Sequence, residues 1–310
     1  MSDTQFHPLR PDDQAPLRSL PATIVVAFLL LAQYLVSLVV MVVVGLLTCC
    51  QLFSNRRAWY RRLEYIFRVL VVIFCVKCNP FWAVTRYGRE GSLPRGCVVM
   101  VNHRSNADPW LLTAALWPDI VLTTFKSQLK PFIPHLWFME EVPLAAGDKE
   151  QVAKAMDHCK RLLAAGDRVL VFPEGTRTTT GLLGDFRDGF FRLAEEVGAP
   201  IFPCVMVGSE AAWGPGSVLL GSADCHVCVG EALPAVGGVK AIKRQVRDAM
   251  VSLAQSLPEA AIASDDPLLT DDPYPWHAMA PEVAALPKAE RNAELRKAKP
   301  RRTGGFQVCC

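Results

Sequence analysis

The chain has 310 residues, of which 51% are hydrophobic, and its formal net charge is only +3. A charge so close to zero argues against a protein that binds nucleic acid through a broad basic surface. The apolar share is enough for a substantial core, and the length fits one large domain or two small ones.

The N-terminal part contains a long apolar run, residues 22–53, without a charged residue. About 20 apolar residues suffice for a helix to cross a bilayer, so this run can span once with tilt but not twice. A secretory signal peptide would have a basic leader and a shorter apolar core, whereas Asp12 and Asp13 precede this run. We therefore expect residues 22–53 to be a membrane anchor helix, preceded by a tail over residues 1–21.

Arginines are more frequent after the apolar run than before it. The positive-inside rule then places the C-terminal side, and so most of the protein, in the cytosol. The same arginines suit contacts with anionic lipid head groups, so membrane lipids are expected partners. Residues 54–82 mix them with apolar and aromatic residues, which predicts an amphipathic helix at the membrane interface. The arginines after the run are Arg56, Arg57, Arg61, Arg62 and Arg68, against Arg10 and Arg18 before it.

Eleven cysteines raise the question of disulfides or a zinc site. Thiols of a cytosolic domain stay reduced, which argues against disulfides. The pairs Cys75/Cys78 and Cys225/Cys228 have the spacing of zinc ligands, but the first closes an apolar segment and the second lies in a strand-like run. Ordinary buried thiols are the favoured interpretation.

From about Ala83 onwards, short apolar runs alternate with helical patterns. Such alternation predicts an α/β domain with a largely parallel central sheet flanked by helices, which binds ligands at the carboxyl ends of its strands. The expected strands are residues 97–101, 120–125, 142–145, 168–172, 201–207, 218–221 and 225–229, and the expected helices are residues 109–116, 149–165, 186–197 and 239–257.

After residue 257 this alternation ends. Aspartates interleave with prolines, a basic run follows, and the sequence given closes on Cys309 and Cys310. We expect residues 258–310 to be a largely disordered tail. The two last cysteines are either free thiols of a solvated tail or sites of lipid attachment beside the basic run.

The stretch NHRSNADPW, residues 102–110, joins an expected strand to an expected helix and sets His103 five residues before Asp108. Taken singly, Asp108 before a proline has the pattern of a helix N-cap, and a loop histidine can bond to a nearby carbonyl. Taken as a pair, the carboxylate would hold one imidazole tautomer and stabilise the cation that forms when the ring takes a proton. His103 would then be a general base acting on a hydroxyl that the substrate brings.

A second polar motif, FPEGTR at residues 172–177, follows another expected strand. Gly175 permits a close backbone approach, Thr176 offers a hydroxyl, and Arg177 presents a planar fork suited to phosphate. The alternative is a tight turn in which an exposed arginine pairs with Glu174.

In this order and at this spacing, the two motifs resemble those of the glycerolipid acyltransferases, whose representative member is 1-acylglycerol-3-phosphate (lysophosphatidate) acyltransferase. Residues 102–108 match the family's NH-x4-D motif and residues 172–177 its FPEGTR motif. The resemblance covers roughly residues 79–257 and implies an acyltransferase domain over residues 83–257. Lesser similarities lie at residues 126–134, 186–190 and 199–203.

The resemblance implies that His103, oriented by Asp108, deprotonates the hydroxyl of a lysophospholipid, which then attacks the thioester of acyl-CoA or of acyl carrier protein. The product would be phosphatidic acid, no metal or bound cofactor would be needed, and in a eukaryote the site would be the endoplasmic reticulum. The residues implied in acceptor binding are Lys126, Glu174, Gly175, Thr176 and Arg177.

One departure from the family concerns the acceptor. The block that usually reads I-F-I-D-R corresponds here to residues 142–146, which lack the arginine. Alternative acceptors are therefore glycerol 3-phosphate or another lysophospholipid. A hypothesis of another class is a non-catalytic membrane scaffold with the same fold, although such a protein has no need of His103 and Asp108.

Overall fold

The computed structural model describes residues 20–49, 54–126, 142–144, 149–178, 181–262 and 266–269. The strands are β1 (Trp82–Gly88), β2 (Val98–Val101), β3 (Val121–Lys126), β4 (Val142–Leu144), β5 (Arg168–Val171), β6 (Ile201–Val207) and β7 (Ala223–Val229). The helices are α1 (Leu20–Leu47), α2 (Arg56–Val72), α3 (Asp108–Ala115), α4 (Lys149–Ala164), α5 (Gly189–Val197), α6 (Ser209–Trp213) and α7 (Val239–Gln255). A π-helical turn (Ile73–Lys77) continues α2, and a 3-10 turn (Pro267–Leu269) follows α7.

The strands form one seven-stranded sheet in the order β1-β7-β6-β2-β5-β3-β4. The five strands from β6 to β4 are mutually parallel, β7 is antiparallel to β6, and β1 is parallel to β7. The expected α/β fold with a largely parallel sheet is confirmed. The carboxyl ends of the five parallel strands share one edge, where ligands of such sheets bind.

Apolar side chains pack on both faces of this sheet. Along β2, Val98 and Met100 belong to the core beneath α4, α5 and α7, whereas Val99 and Val101 belong to the core beneath α1, α2 and α3. This alternation follows from the two-residue period of a strand. All four side chains are fully buried, so β2 is the central strand on which the loop after it rests.

The expected strand at residues 218–221 was wrong. Val218 is 88% exposed, and the Ser217 hydroxyl both donates to the carbonyl and accepts from the N–H of Leu219. The run is apolar but lies in the connection between α6 and β7 and is not part of any described strand. Two elements were not anticipated: the edge strand β1, whose sequence mixes polar and apolar residues, and the short helix α6.

A buried polar cluster fixes α2 to the domain. Arg68 donates to the Thr113 hydroxyl at 2.9 Å and pairs with Glu64, and the Arg68 and Glu64 side chains are only 5% and 1% exposed. Two turns before Arg68, Arg61 pairs with Glu64 and with Asp167. Two of the five arginines that we expected at lipid head groups therefore contact protein instead, because α2 packs against the domain.

Helix α1 is long and apolar enough, by length and composition, to cross a membrane. It packs on α2, and the Thr23 hydroxyl donates to the Leu220 carbonyl and accepts from the Leu220 N–H. Its other side exposes large apolar side chains such as Phe28 at 65% and Leu47 at 77%. An exposed apolar face of this length is typical of a surface that contacts a membrane or another protein.

Candidate active site

The loop after β2 is attached to the neighbouring strand by Asn102. Its side-chain amide donates to the Met206 carbonyl at 2.9 Å, and its side-chain oxygen accepts from the Met206 N–H at 2.8 Å. Two bonds to one residue of β6 fix the point at which the chain leaves the sheet. The next residue, His103, therefore lies at the carboxyl edge of the parallel strands.

His103 and Asp108 are in direct contact. Nδ1 of His103 lies 2.7 Å from Oδ2 of Asp108, and the two side chains are 4% and 0% exposed. The same Oδ2 accepts from the backbone N–H groups of Arg104 and Ser105, both at 2.9 Å. Three donors on one oxygen fix the carboxylate, and a proton on Nδ1 leaves the lone pair on Nε2.

The cap interpretation of Asp108 was wrong. Helix α3 begins at Asp108 itself, its N-cap residue is Ala107, and the Asp108 carboxylate binds amides that precede the helix. The carboxylate turns back towards the loop, where the imidazole and two backbone amides contact its Oδ2. Its other oxygen, Oδ1, has no hydrogen-bond partner within the described part of the chain.

The His103 ring stacks on Phe172, the first residue of the second motif. Their ring centroids are 4.0 Å apart and the ring planes differ by 18°. Phe172 packs on one face of the imidazole ring and Asp108 contacts its Nδ1, so the two residues together fix the ring orientation. Within the residues that the structure describes, Nε2 has no hydrogen-bond partner, so this nitrogen is available to take a proton from a substrate.

Glu174 connects the two motif loops from inside. It is 5% exposed, its Oε1 accepts from the His103 N–H at 3.1 Å, and its Oε2 accepts from the Gly184 N–H at 2.9 Å. Burial raises the pKa of Glu174 to about 7, although both backbone hydrogen bonds oppose the rise. The Glu174 carboxylate thus binds backbone N–H groups of two loops. The tight-turn alternative, in which it would pair with Arg177, was wrong.

The rest of the second motif lies beside the His103 loop. An Nη1–H group of Arg177 donates to Oδ1 of Asn106, and the Thr178 N–H donates to the His103 carbonyl at 2.8 Å. Gly175 has φ +68°, a conformation that favours glycine, and both Gly175 and Thr176 are exposed. The two motifs therefore form one surface at the sheet edge.

Lys126, the remaining predicted binding residue, is the last residue of β3. Its backbone therefore lies at the same carboxyl edge of the sheet as His103, with β5 between the two strands. Residues 127–134, the rest of the similar stretch, lie outside the described residues, as do residues 145–146 of the departing block and the tail over residues 270–310.

The strand cysteines point away from each other. Cys225 lies in the core on the side of α2 and Cys228 in the core on the side of α4, because residues three apart on a strand face opposite sides. They cannot ligate one metal ion together. Burial raises the pKa of Cys75 to about 12, as expected for a structural thiol, and its partner in the other spaced pair, Cys78, is exposed.

Three contributors to the site were not singled out from the sequence: Asn102, Phe172 and Arg104. All three lie within the two motifs, and for Asn102 and Phe172 the available signal was the order strand, polar loop, helix. For Arg104 the signal was its position next to His103, but its partners are distant in the sequence.

Comparisons with known proteins agree with this geometry. Residues 84–207 match a protein-family model described as Acyltransferase. The chain is 29% identical over 217 residues to a 1-acyl-sn-glycerol-3-phosphate acyltransferase of Chlamydomonas reinhardtii, covering 69% of this chain and 64% of that protein. It is 29% identical over 138 residues to a chloroplastic 1-acyl-sn-glycerol-3-phosphate acyltransferase of Arabidopsis thaliana, covering 43% and 38%.

The crystal structure of the 1-acyl-sn-glycerophosphate acyltransferase PlsC from Thermotoga maritima has the same fold. Its TM-score is 0.56 at 20% identity, over 73% of this chain and 93% of that one. The aligned part of this chain spans less than two thirds of the length of both curated relatives, 64% and 38%. The matched family model and the two motifs at one sheet edge show an acyltransferase domain in this chain, and the curated relatives it resembles are glycerolipid acyltransferases.

Proposed function

We propose that this chain is an enzyme that transfers a fatty acyl group from acyl-CoA, or from acyl carrier protein, to the free hydroxyl of 1-acylglycerol 3-phosphate. The product is phosphatidic acid. The observation that carries the proposal is the 2.7 Å contact between His103 Nδ1 and Asp108 Oδ2, which leaves Nε2 free at the sheet edge. The names of the curated relatives support the same reaction.

In this reaction His103 acts first as a base and then as an acid. Nε2 takes the proton of the acceptor hydroxyl while the hydroxyl oxygen attacks the thioester carbonyl carbon. Asp108 stabilises the imidazolium that forms. When the tetrahedral intermediate collapses, the carbon–sulfur bond breaks, the thiolate leaves with the proton from Nε2, and the new ester remains. These steps use no metal and no bound cofactor.

The acceptor phosphate is bound by Arg177 with Lys126. The hydrogen bond from Arg177 to Asn106 supports this role, because it holds the guanidinium against the loop that carries the base. A planar fork can then donate two bonds to a phosphate, and Gly175 and Thr176 lie exposed in the same loop. Glu174 keeps the two loops in position through its hydrogen bonds with the His103 and Gly184 N–H groups.

The acceptor and the product are lipids, which fits a chain with an exposed apolar helix. We infer that α1 anchors the enzyme to a membrane, with the catalytic domain facing the cytosol, at the endoplasmic reticulum in a eukaryote. An interfacial site draws its acceptor from lipid already concentrated there, so membrane lipids are its natural surroundings.

The test is a release assay for the free thiol of CoA with three acceptors offered in parallel: lysophosphatidate, lysophosphatidylcholine and glycerol 3-phosphate. We expect the highest kcat/KM with lysophosphatidate. A clear preference for another acceptor would instead support the alternative raised by the missing arginine in residues 142–146. Absence of transfer to all three by folded protein contradicts the proposal and favours the scaffold hypothesis.

A further inference from the structure

Arg104, the residue after His103, is buried and bonded to protein through both Nη groups of its guanidinium, whereas its Nε has no hydrogen-bond partner among the described residues. Its side chain is 3% exposed. Nη1 donates to Glu210 at 3.1 Å and to Asp266 Oδ2 at 2.9 Å, while Nη2 donates to the Gly181 carbonyl at 3.1 Å and to Asp266 Oδ1. The guanidinium thus joins four segments: the His103 loop, the loop after the second motif, α6 and the chain beyond α7.

Asp266 lies in a segment that sequence reasoning had assigned to a disordered tail. Leu268, two residues later, anchors this segment. Its side chain is 1% exposed in the core beneath α4, α5 and α7, and its N–H donates to Asp266 Oδ1 at 2.8 Å. The Gln255 side chain at the end of α7 donates to the Leu269 carbonyl at 3.2 Å. The segment is therefore docked, with its carboxylate in a bidentate contact with Arg104.

The position of Arg104 bears directly on the His103–Asp108 pair. Its backbone N–H is one of the three donors on Asp108 Oδ2, so a displaced Arg104 withdraws a bond from the carboxylate that orients the ring. Burial by itself lowers the pKa of the guanidinium, but Glu210 and Asp266 more than offset it and raise the pKa above its usual value. Arg104 therefore remains charged, and its charge is balanced by protein carboxylates.

The same loop is held from a second side. Glu174 binds the His103 N–H and the Gly184 N–H, while Arg104 binds the Gly181 carbonyl, so two charged side chains tie the His103 loop to residues 181–184. Arg104 also reaches two more distant segments through Glu210 and Asp266. The segment beyond α7 therefore helps to hold the loop that carries His103.

We infer that Arg104 is a positioning residue for the base and that Asp266, from the segment beyond α7, is the partner that holds it in place. The inference rests on the proposed function, since what is positioned is the proton acceptor of the acyl transfer. A displacement of a reacting group by about 1 Å can reduce a rate about 100-fold, so loss of this contact should appear in kcat. Neither residue is expected to bind substrate.

The test uses the full chain with Asp266→Asn, which keeps the shape of the side chain and removes its charge. With acyl-CoA and lysophosphatidate, kcat should fall about 10-fold or more, while both KM values change less than about 2-fold. Amide hydrogen exchange is a readout that needs no turnover, and the peptide over residues 102–108 should exchange faster. Asp248→Asn is the matched control, because it removes an exposed carboxylate that pairs with Arg244 on α7. This control should change neither kcat nor the exchange rate of residues 102–108.

A companion variant, Arg104→Lys, keeps the positive charge but loses the fork that Asp266 binds. It should reduce kcat to a similar extent. The double variant should be little worse than either single one, because both remove the same contact. Fully additive losses would overturn the assignment of Asp266 as the partner through which Arg104 acts.

A folded Asp266→Asn protein with wild-type kcat overturns the inference, and so does a rise in acceptor KM at unchanged kcat. If Asp266→Asn does not fold, Asp266→Glu replaces it, since that variant keeps the charge and moves it by one methylene, and the same results decide. If the wild type transfers no acyl group, the proposed function fails, and the exchange rate of residues 102–108 still shows whether Asp266 holds the loop.

Discussion

Oε1 of Glu174 accepts a hydrogen bond from the backbone N–H of His103, 3.1 Å away, although the two residues are 71 positions apart in the sequence. The second motif therefore stabilises the first from within the protein. Its single carboxylate also holds the Gly184 N–H, so both loops are positioned by a buried group whose charge state depends on pH.

Glu174 should make stability pH-dependent. Burial raises its pKa in the folded protein from the ordinary value of about 4.5 to about 7, so the folded state holds the proton more tightly than the unfolded state. Stability should therefore fall as pH rises from about 4.5 to about 7, by up to about 3 kcal/mol. Thermal unfolding at pH 5 and pH 7 should show this fall in the wild type and a smaller one in Glu174→Gln. Equal pH dependence in both proteins would contradict the assignment.

Asp108→Asn should abolish most of the activity. The amide would offer N–H groups or a single oxygen where Oδ2 now accepts three bonds, and it would favour the wrong imidazole tautomer. We expect kcat to fall about 1,000- to 10,000-fold. Asp119→Asn is the control, because Asp119 is also buried but binds the Leu93 N–H at the amino end of β3. That variant should lower stability and leave kcat within a few-fold of the wild type.

Arg177→Lys should weaken binding of the acceptor. Lysine keeps the charge but cannot donate two parallel bonds, so KM for lysophosphatidate should rise about 10-fold while KM for acyl-CoA stays nearly constant. Asn106→Ala, which frees the guanidinium from its partner in the loop, should change KM in the same direction. Equal effects on both substrates would show that Arg177 does not bind the acceptor phosphate.

Arg68→Met should destabilise the contact between α2 and the domain. The substitution leaves the Glu64 carboxylate buried without this partner, and breaking a buried ion pair in this way costs about 3–5 kcal/mol. Arg62→Met is the matched control, because Arg62 lies on the exposed side of the same helix and should change stability by less than about 0.5 kcal/mol. Denaturant unfolding measures both, and similar losses in the two variants would argue against the buried cluster.

Local patterns were sufficient for six of the seven described strands and for the pair of motifs. β2 could be predicted because four consecutive buried residues leave an uninterrupted apolar run, and His103 could be predicted because polar residues follow it at the strand end. The Arg104–Asp266 contact could not, because the two residues are 162 positions apart and no periodicity relates them. The run at residues 218–221 gave a wrong prediction because a short apolar run does not by itself distinguish a buried strand from an exposed connection, and Val218 is 88% exposed.

His103→Ala tests the central claim most directly. Its matched control is His226→Ala, since His226 is also buried and contacts a carboxylate, Asp224 at 3.6 Å, but lies on β7 and is bonded to Tyr87. The measurement is kcat with lysophosphatidate and acyl-CoA, together with the melting temperature of each variant. We predict that His103→Ala loses at least about 1,000-fold in kcat and stays folded, while His226→Ala retains its turnover. Folded His103→Ala protein with near wild-type turnover would contradict the account.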